Sequence, residues 1–282
     1  MNFGQPYLPS NRYAIRRFVS YINRINLCGA TAAVYVAGIR SFHLEHGYDD
    51  PCQDDKYLAM MLKGFANETK RLNPRRKPLT LSHLDQLKVE LFRSNLKHYD
   101  KLMLWSAFTL AFSAMLRVSE YTSAHLRKFT RATLLRNDIE LANGCLKVSL
   151  KRDKTHQRDF PPPIFLSLEQ SNCCPVRAIE KYLKLRSPSQ DSPLFSFKNG
   201  DFLTRQRVNQ ELHDLLGSTF TSHSFRIGAA TEASKAGCTG EQIRVMGRWK
   251  SDVSNRYIRP SIIEMNLRSR HHRLVVASLR QG

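Results

Sequence analysis

The strongest constraint on the fold is a long apolar segment, LMLWSAFTLAFSAML, at residues 102–116. Its fifteen residues are fewer than the roughly 20 that a membrane-crossing helix needs, and they include Ser and Thr. The segment therefore predicts a helix buried in a protein core, and we expect no membrane partner. The first eighteen residues lack the apolar stretch of a signal peptide.

The hydrophobic period divides the rest of the chain into helical and strand-forming regions. From Tyr13 to about Leu72, apolar residues recur three and four positions apart, which predicts helices around a turn at residues 47–51. Helices resume after Thr80. Between residues 137 and 166 the period predicts three short strands, with turns at 142–144 and 153–157. Helices then return and continue to the end of the chain.

These patterns predict a mainly α fold with a small antiparallel β-sheet. We expect an all-helical domain over residues 1–73, a basic linker over 74–80 and a mixed α+β domain over 81–282. In the linker, two prolines flank Arg75, Arg76 and Lys77, which is typical of an exposed connection. It is either an ordinary loop or a basic strap that crosses a phosphate backbone.

Net charge indicates the kind of partner. The 282 residues include 44 Lys and Arg against 24 Asp and Glu, a formal charge of +20. Such an excess favours a polyanion, with nucleic acid ahead of an anionic membrane, although a ribosome-like or generic basic surface is an alternative. The six cysteines form no C-x-x-C pair and no Cys/His zinc spacing, so we predict no metal site.

One candidate site centres on H-S-F-R, residues 223–226. Thr221 and Ser222 are favourable helix-capping residues, so His223 and Arg226 would share one face near a helix N-terminus, where anions are favoured. This helix is expected to end at Gly237. A histidine and an arginine in this arrangement are more often structural than catalytic.

The following segment supplies further candidates. Thr239 with Gln242 predicts a capping box for a helix that ends at Gly247 and leads to Arg248, Trp249 and Lys250 in a loop. A short helix carrying Tyr257 then ends before Pro260. A tryptophan after glycine is usually part of a core, and a tyrosine near a C-terminus usually serves packing.

Two earlier positions add to the pattern. Arg117 is expected to end the apolar helix, with Glu120 three residues later and able to brace it. Lys154 falls in the predicted turn between the second and third strands. The ordinary interpretations are a cation at a helix C-terminus and a solvated hairpin tip.

Taken in order, R-x-x-E, K-T in a turn, H-x-x-R, G-x-W and Y-I-R resemble the tyrosine recombinases, the family of lambda integrase and Cre. The resemblance covers nearly the whole chain, and H-S-F-R-I-G-A-A-T-E-A-S-K-A-G is its most specific part. It implies a helical core-binding domain and a catalytic domain around double-stranded DNA, in a homo-tetramer. The strand region also resembles recombinases of mobile elements such as Cryptons and DIRS-like retroelements.

The resemblance assigns a role to each candidate. Tyr257 would be the nucleophile that forms a 3′-phosphotyrosyl bond, and Lys154 would protonate the leaving 5′-oxygen. Arg117 and Arg226 would bind the phosphate oxygens bidentately, and His223 would hydrogen-bond the phosphate and assist proton movement. Neither metal, ATP nor another cofactor is implied.

The remaining implied roles are supportive. Trp249 would offer its indole N–H or buttress the site, where many relatives carry histidine, and Glu120 would orient Arg117 or His223. Candidate DNA contacts are the basic residues of the linker and of the loop after Gly247: Arg75, Arg76, Lys77, Arg248 and Lys250.

The function implied is a site-specific recombinase or integrase, located inside the cell with DNA, in a nucleus or a nucleoid. One alternative is a domesticated DNA-binding protein that kept the fold and lost recombination, although binding alone does not require Tyr257 or Lys154. Another is a type IB-like topoisomerase. The N-terminal domain is shorter than the resemblance implies, which leaves a truncated copy open and puts strand exchange in more doubt than cleavage.

Overall fold

The computed structural model describes residues 8–72, 77–130, 132–151, 161–186 and 191–249. By contact the chain divides into two compact units, residues 1–75 and 76–282. Within the described ranges, none of the helices combines the length and apolar character that a bilayer crossing requires. All six cysteines are free thiols.

The first unit is built from three helices, α1 (Arg12–Arg24), α2 (Gly29–Glu45) and α3 (Lys56–Leu72). Its core combines residues from all three helices, including Ile15, Val19, Val36 and Leu58. Asp55 precedes α3 rather than lying in its first turn, and its carboxylate accepts the Leu58 N–H at 3.0 Å. Asp55 thus caps the start of α3, and its carboxylate also binds Arg16.

The apolar segment forms the centre of the second unit, as expected. It lies in α5 (His98–Ser113), in which every residue from Leu102 to Phe112 is buried. Its polar side chains are satisfied internally: Ser106 donates to the Ala178 carbonyl at 2.8 Å and Thr109 to the Trp105 carbonyl at 2.9 Å. Buried hydroxyls with partners avoid the desolvation cost of unpaired ones, so the segment tolerates them.

The described part of the second unit contains six further α-helices. They are α4 (Leu81–Arg93), α6 (Val118–Tyr121), α7 (Pro175–Leu183), α8 (Arg205–Leu216), α9 (Ser222–Lys235) and α10 (Gly240–Met246). Helices α4, α7 and α9 pack against α5.

A three-stranded antiparallel sheet, ordered β1-β2-β3, completes this unit. Strand β1 (Ile139–Ala142) pairs with β2 (Cys145–Val148), and β2 pairs with β3 (Ile164–Ser167). The turn between β1 and β2 is the predicted one. Asn143 and Gly144 have φ of 50° and 70°, the positive values of a two-residue hairpin turn that matches strand twist. The mainly α fold with a small antiparallel sheet is confirmed.

The end of the predicted linker does not behave as an exposed connection. Leu79 is fully buried, and its N–H donates to the Ser224 carbonyl at 3.0 Å. A Cβ at Gly228 would lie 1.7 Å from the Leu79 carbonyl oxygen, so only glycine lets this segment lie against α9. Burial of the apolar Leu79 side chain is more favourable in free energy than its exposure to water. Residues 79–80 therefore belong to the second unit.

Candidate functional site

Arg117 is placed by a sharp reversal after α5, and not by the end of that helix. The helix ends at Ser113, Ala114 caps it, and Met115 has a φ of 46°. A left-handed conformation costs a residue with a Cβ roughly 1–2 kcal/mol, so surrounding contacts must hold it. Arg117 is therefore the N-cap of α6, which corrects the expectation that it ends the apolar helix.

Glu120 braces Arg117, as the i, i+3 spacing indicated. Its carboxylate accepts a bond from the Arg117 guanidinium and one from the Arg117 main-chain N–H, both at 2.8 Å. The Glu120 side chain is only 3% exposed, so these charge-assisted bonds are made away from water and hold the Arg117 side chain in one direction.

Helix α9 presents His223 and Arg226 one turn apart at its N-terminal end. Thr221 is the N-cap residue, and its N–H donates to the Ser224 hydroxyl at 3.1 Å. His223 is half-buried, whereas Arg226 is 2% exposed. The predicted helix and its start are confirmed.

Helix α10 ends in a tight turn that places Trp249. Its capping box of Thr239 and Gln242 is present, and Gly247 caps its C-terminus. A Cβ at Gly247 would lie 1.8 Å from the Trp249 ring, so glycine allows the indole to fold back over the turn. Arg248 has a φ of 54°. Like Met115, it is a residue with a Cβ in the left-handed conformation.

Arg226 is anchored between these two turns. Its guanidinium donates to the main-chain carbonyls of Met115 and Gly247, and it lies 4.3 Å from the centroid of the Trp249 ring. A cation over an indole face is favourable, more so when desolvated. The Trp249 ring therefore packs against the Arg226 guanidinium.

Arg117 is anchored to the same turn. It donates to the main-chain carbonyl of Arg248 at 3.1 Å, next to the carbonyl that Arg226 uses. The structure thus brings Arg117, Glu120, Arg226 and Trp249 together around residues 247–249, with His223 one helical turn from Arg226.

The cluster carries a surplus of positive charge. The Glu120 carboxylate accepts from the guanidinium groups of Arg117 and Arg248, and the Arg226 guanidinium lies at the same turn. Several guanidinium groups at a largely buried location favour an anion. Each guanidinium carries five donors, so carbonyl anchoring and anion binding are compatible in one group.

Arg248 differs from its expected role. Its side chain is 7% exposed and donates to Glu120 at 2.9 Å, so it faces the protein instead of standing on the surface as a DNA contact. Lys77 is exposed. Five other predicted residues, namely Tyr257, Lys154, Arg75, Arg76 and Lys250, lie outside the described residues, as does the predicted short helix before Pro260.

Other candidate chemistry is limited in the described ranges. They hold no group of three or more His, Cys, Asp or Glu residues arranged for a metal ion. Burial raises the pKa of the Tyr121 and Tyr182 phenols, which opposes their use as nucleophiles because the reactive phenolate is disfavoured.

Sequence reasoning missed the acceptors that anchor the arginines. These are main-chain carbonyls of Met115, Gly247 and Arg248, and a carbonyl carries no residue-type signal. A hint in the sequence is Gly247 two residues before the bulky aromatic Trp249, since glycine permits a close approach to its backbone.

No protein-family model matches the sequence, and no curated protein sequence is significantly similar to it. Solved structures are similar in fold. Tn1549 transposon integrase in complex with transposon right end DNA has a TM-score of 0.64 at 15% identity, covering 96% of this chain and 87% of that chain. The XerH site-specific recombinase bound to difH substrate before cleavage has a TM-score of 0.60 at 15% identity, covering 95% and 74%.

A lambda integrase dimer bound to a COC′ core site is also similar, with a TM-score of 0.56 at 14% identity, covering 90% of this chain and 81% of that chain. All three are tyrosine recombinases. The chain therefore has the tyrosine recombinase fold, which confirms the predicted resemblance at the level of architecture.

Proposed function

We propose that this protein is a tyrosine recombinase, a DNA strand transferase that cleaves and rejoins DNA through a 3′-phosphotyrosyl intermediate. The observation that carries the proposal is the anchoring of Arg117 and Arg226 to adjacent carbonyls of one turn. Tyr257 follows Trp249 by eight residues, a stretch that spans at most roughly 28 Å. The proposed nucleophile is therefore tethered to the arginine cluster.

In the proposed reaction, the Tyr257 phenol oxygen attacks a DNA phosphorus, and the bond from phosphorus to the 5′-oxygen breaks. Lys154 gives a proton to the leaving oxygen, which becomes a 5′-hydroxyl, and the phenol proton passes to His223 or water. Rejoining reverses these steps. The phosphodiester bond energy stays in the adduct, so the cycle needs no ATP.

The arginine cluster suits this chemistry. Attack on a phosphodiester places additional negative charge on its non-bridging oxygens, and preorganised cations stabilise that charge without reorganisation. The guanidinium groups around residues 247–249 match this requirement without a metal ion. Of the three arginines in the cluster, Arg117 is the most exposed, with 22% of its side chain accessible, so the phosphate would approach from its side.

The proposed partner is double-stranded DNA, and the similar Tn1549 transposon integrase is solved in complex with DNA. The charge of +20 supports this partner through phosphate contacts. We further propose that residues 1–73 form the core-binding domain and that residues 81–282, with residues 79–80 packed on them, form the catalytic domain. The protein would act as a homo-tetramer on DNA inside the cell. Lys77, with Arg75, Arg76 and Lys250, would contact the phosphate backbone.

The test needs no known target sequence. Wild type and Tyr257→Phe are incubated with a pool of nicked random duplexes, the samples are denatured, and DNA still attached to protein is captured and sequenced. We expect an adduct with wild type alone, and equal DNA binding by both proteins. If neither forms an adduct while both bind with a steep salt dependence, the domesticated DNA-binding protein becomes the better account.

A topoisomerase would also form the adduct, so the captured sequences supply a second assay. Two duplexes carrying the recovered site, one of them labelled, are mixed with the protein. A recombinase joins strands between the two duplexes, whereas a topoisomerase only reseals each one.

A further inference from the structure

We propose that Arg248 is a positioning residue, which fixes the direction of Arg117 and thereby sets the rate of phosphate transfer without contacting DNA. The effect on rate rests on the proposed function, whereas the effect on Arg117 does not. No role of this kind follows from the sequence, because an arginine in a loop after a helix resembles an ordinary surface cation.

Two separate connections link Arg248 to Arg117. The Arg248 side chain donates to one oxygen of Glu120 at 2.9 Å, and the other oxygen of Glu120 accepts from Arg117 at 2.8 Å. The main-chain carbonyl of Arg248 accepts directly from Arg117 at 3.1 Å. Arg117 is consequently held from two sides, by Glu120 and by the Arg248 carbonyl, and Arg248 contacts both Arg117 and Glu120.

The Arg248 side chain also binds the chain reversal that precedes Arg117. It donates to the Ala114 carbonyl at 3.2 Å, within the turn that contains Met115. Arg248 is itself held at a φ of 54°, and left-handed non-glycine residues persist where surrounding contacts over-determine them. Its 7% side-chain exposure leaves little surface for an external partner.

Substitution of Arg248 by glycine distinguishes the contribution of its side chain from that of its main-chain carbonyl. Arg248→Gly keeps the carbonyl that binds Arg117 and suits the positive φ, but it removes the connection through Glu120. Arg248→Lys keeps the charge with fewer donors. Arg93→Gly is the matched control, since Arg93 ends α4 with its side chain 74% exposed and the same charge is lost.

The first readout is arginine side-chain NMR on the DNA-free protein. An anchored guanidinium rotates slowly about its terminal C–N bonds and gives separate signals for its terminal nitrogens. We expect separate Arg117 signals in wild type and Arg93→Gly, and a single averaged signal in Arg248→Gly. Arg117 signals that remain separate in Arg248→Gly would overturn the proposal, whatever the activity of the protein.

The second readout is the rate of covalent adduct formation at saturating nicked duplex, measured below the melting temperature of each variant. Misplaced catalytic groups typically cost about 100-fold in rate, so we expect a loss of about that size in Arg248→Gly with its affinity for the duplex changed by less than about threefold. Arg248→Lys should recover part of the rate, and added guanidinium ion should restore Arg248→Gly but not affect Arg93→Gly.

A merely structural role for Arg248 has a different signature. Rate and affinity would then fall together in Arg248→Gly, and guanidinium ion would not restore the rate, which contradicts the proposal. If wild type itself forms no adduct, the proposed function fails, and the NMR readout still decides whether Arg248 positions Arg117.

Discussion

Arg117 and Arg226 bind adjacent main-chain carbonyls of a single turn, those of Arg248 and Gly247. The two arginines come from different elements, the N-cap of α6 and the first turns of α9. One short turn therefore sets the separation of both guanidinium groups, and any phosphate that binds between them would meet donors that are already in place. Preorganisation of this kind is what makes charge stabilisation effective in catalysis.

Arg226→Lys should abolish most of the proposed activity while DNA binding persists. A lysine offers one point charge, whereas Arg226 reaches two carbonyls and stacks on Trp249. Loss of one preorganised donor costs about 100-fold or more in rate. The rate of adduct formation on nicked duplex provides the measurement, and a rate within about threefold of wild type would exclude a catalytic role for Arg226.

Glu120→Ala should lower the free energy of unfolding by about 3 kcal/mol, because it leaves two largely buried arginines without their carboxylate. The matched control is Glu140→Ala, which breaks an exposed pair with Lys147 on the sheet and should change stability by less than about 1 kcal/mol. Urea denaturation of both variants checks this, and equal effects would show that the burial of Glu120 is unimportant.

Gly228→Ala should destabilise the second unit by about 3 kcal/mol, since its Cβ would lie 1.7 Å from the Leu79 carbonyl oxygen and overpacking against backbone is costly. Gly64→Ala is the contrasting case. Gly64 lies in α3 with no atom within 4 Å of a Cβ, so the better helix former should add about 0.5–1 kcal/mol. An unchanged unfolding midpoint in Gly228→Ala would mean that residues 79–80 do not pack on α9.

The ion pair of Arg16 and Asp55 predicts a pH dependence for the first unit. The hydrogen bond from Arg16 is the largest cause that lowers the pKa of Asp55. A carboxylate whose pKa is lower in the folded state than in the unfolded state stabilises the fold at any pH above its unfolded-state pKa. This stabilisation is lost as the pH falls through the folded-state pKa. Asp55→Asn should therefore be less stable than wild type near neutral pH.

The difference between Asp55→Asn and wild type should shrink below about pH 4, the ordinary range for aspartate. Thermal melts across pH 2–7 measure it, with Asp49→Asn, at an exposed position, as the control. A stability difference that stays constant across this range would show that the Asp55 charge is not the cause.

Local patterns predicted local structure well. The apolar run gave α5, the Asn-Gly pair gave the hairpin turn, and Thr239 with Gln242 gave the cap of α10, because each signal lies within one turn or one helix. The pairing of Arg117 with Glu120 followed for the same reason, since residues three apart on a chain are neighbours in space.

Contacts between distant segments could not be predicted in this way. The reversal at Met115 puts a left-handed conformation on a residue that disfavours it, and it is held by arginines from α9 and the end of α10. The burial of Leu79 against Gly228 depends on backbone proximity across the fold. Neither leaves a pattern in neighbouring residues, so Arg248 was expected on the surface and the linker end was expected in solvent.

The most direct test of the account is to identify the residue that becomes linked to DNA. The captured adduct is digested with nuclease and protease, and mass spectrometry locates the peptide that carries a nucleotide. In wild type we predict a nucleotide linked through its 3′-phosphate to Tyr257. In Tyr257→Phe we predict that no peptide carries a nucleotide. Linkage to a different residue, or to a 5′-phosphate, would contradict the proposed chemistry, even if DNA is cleaved.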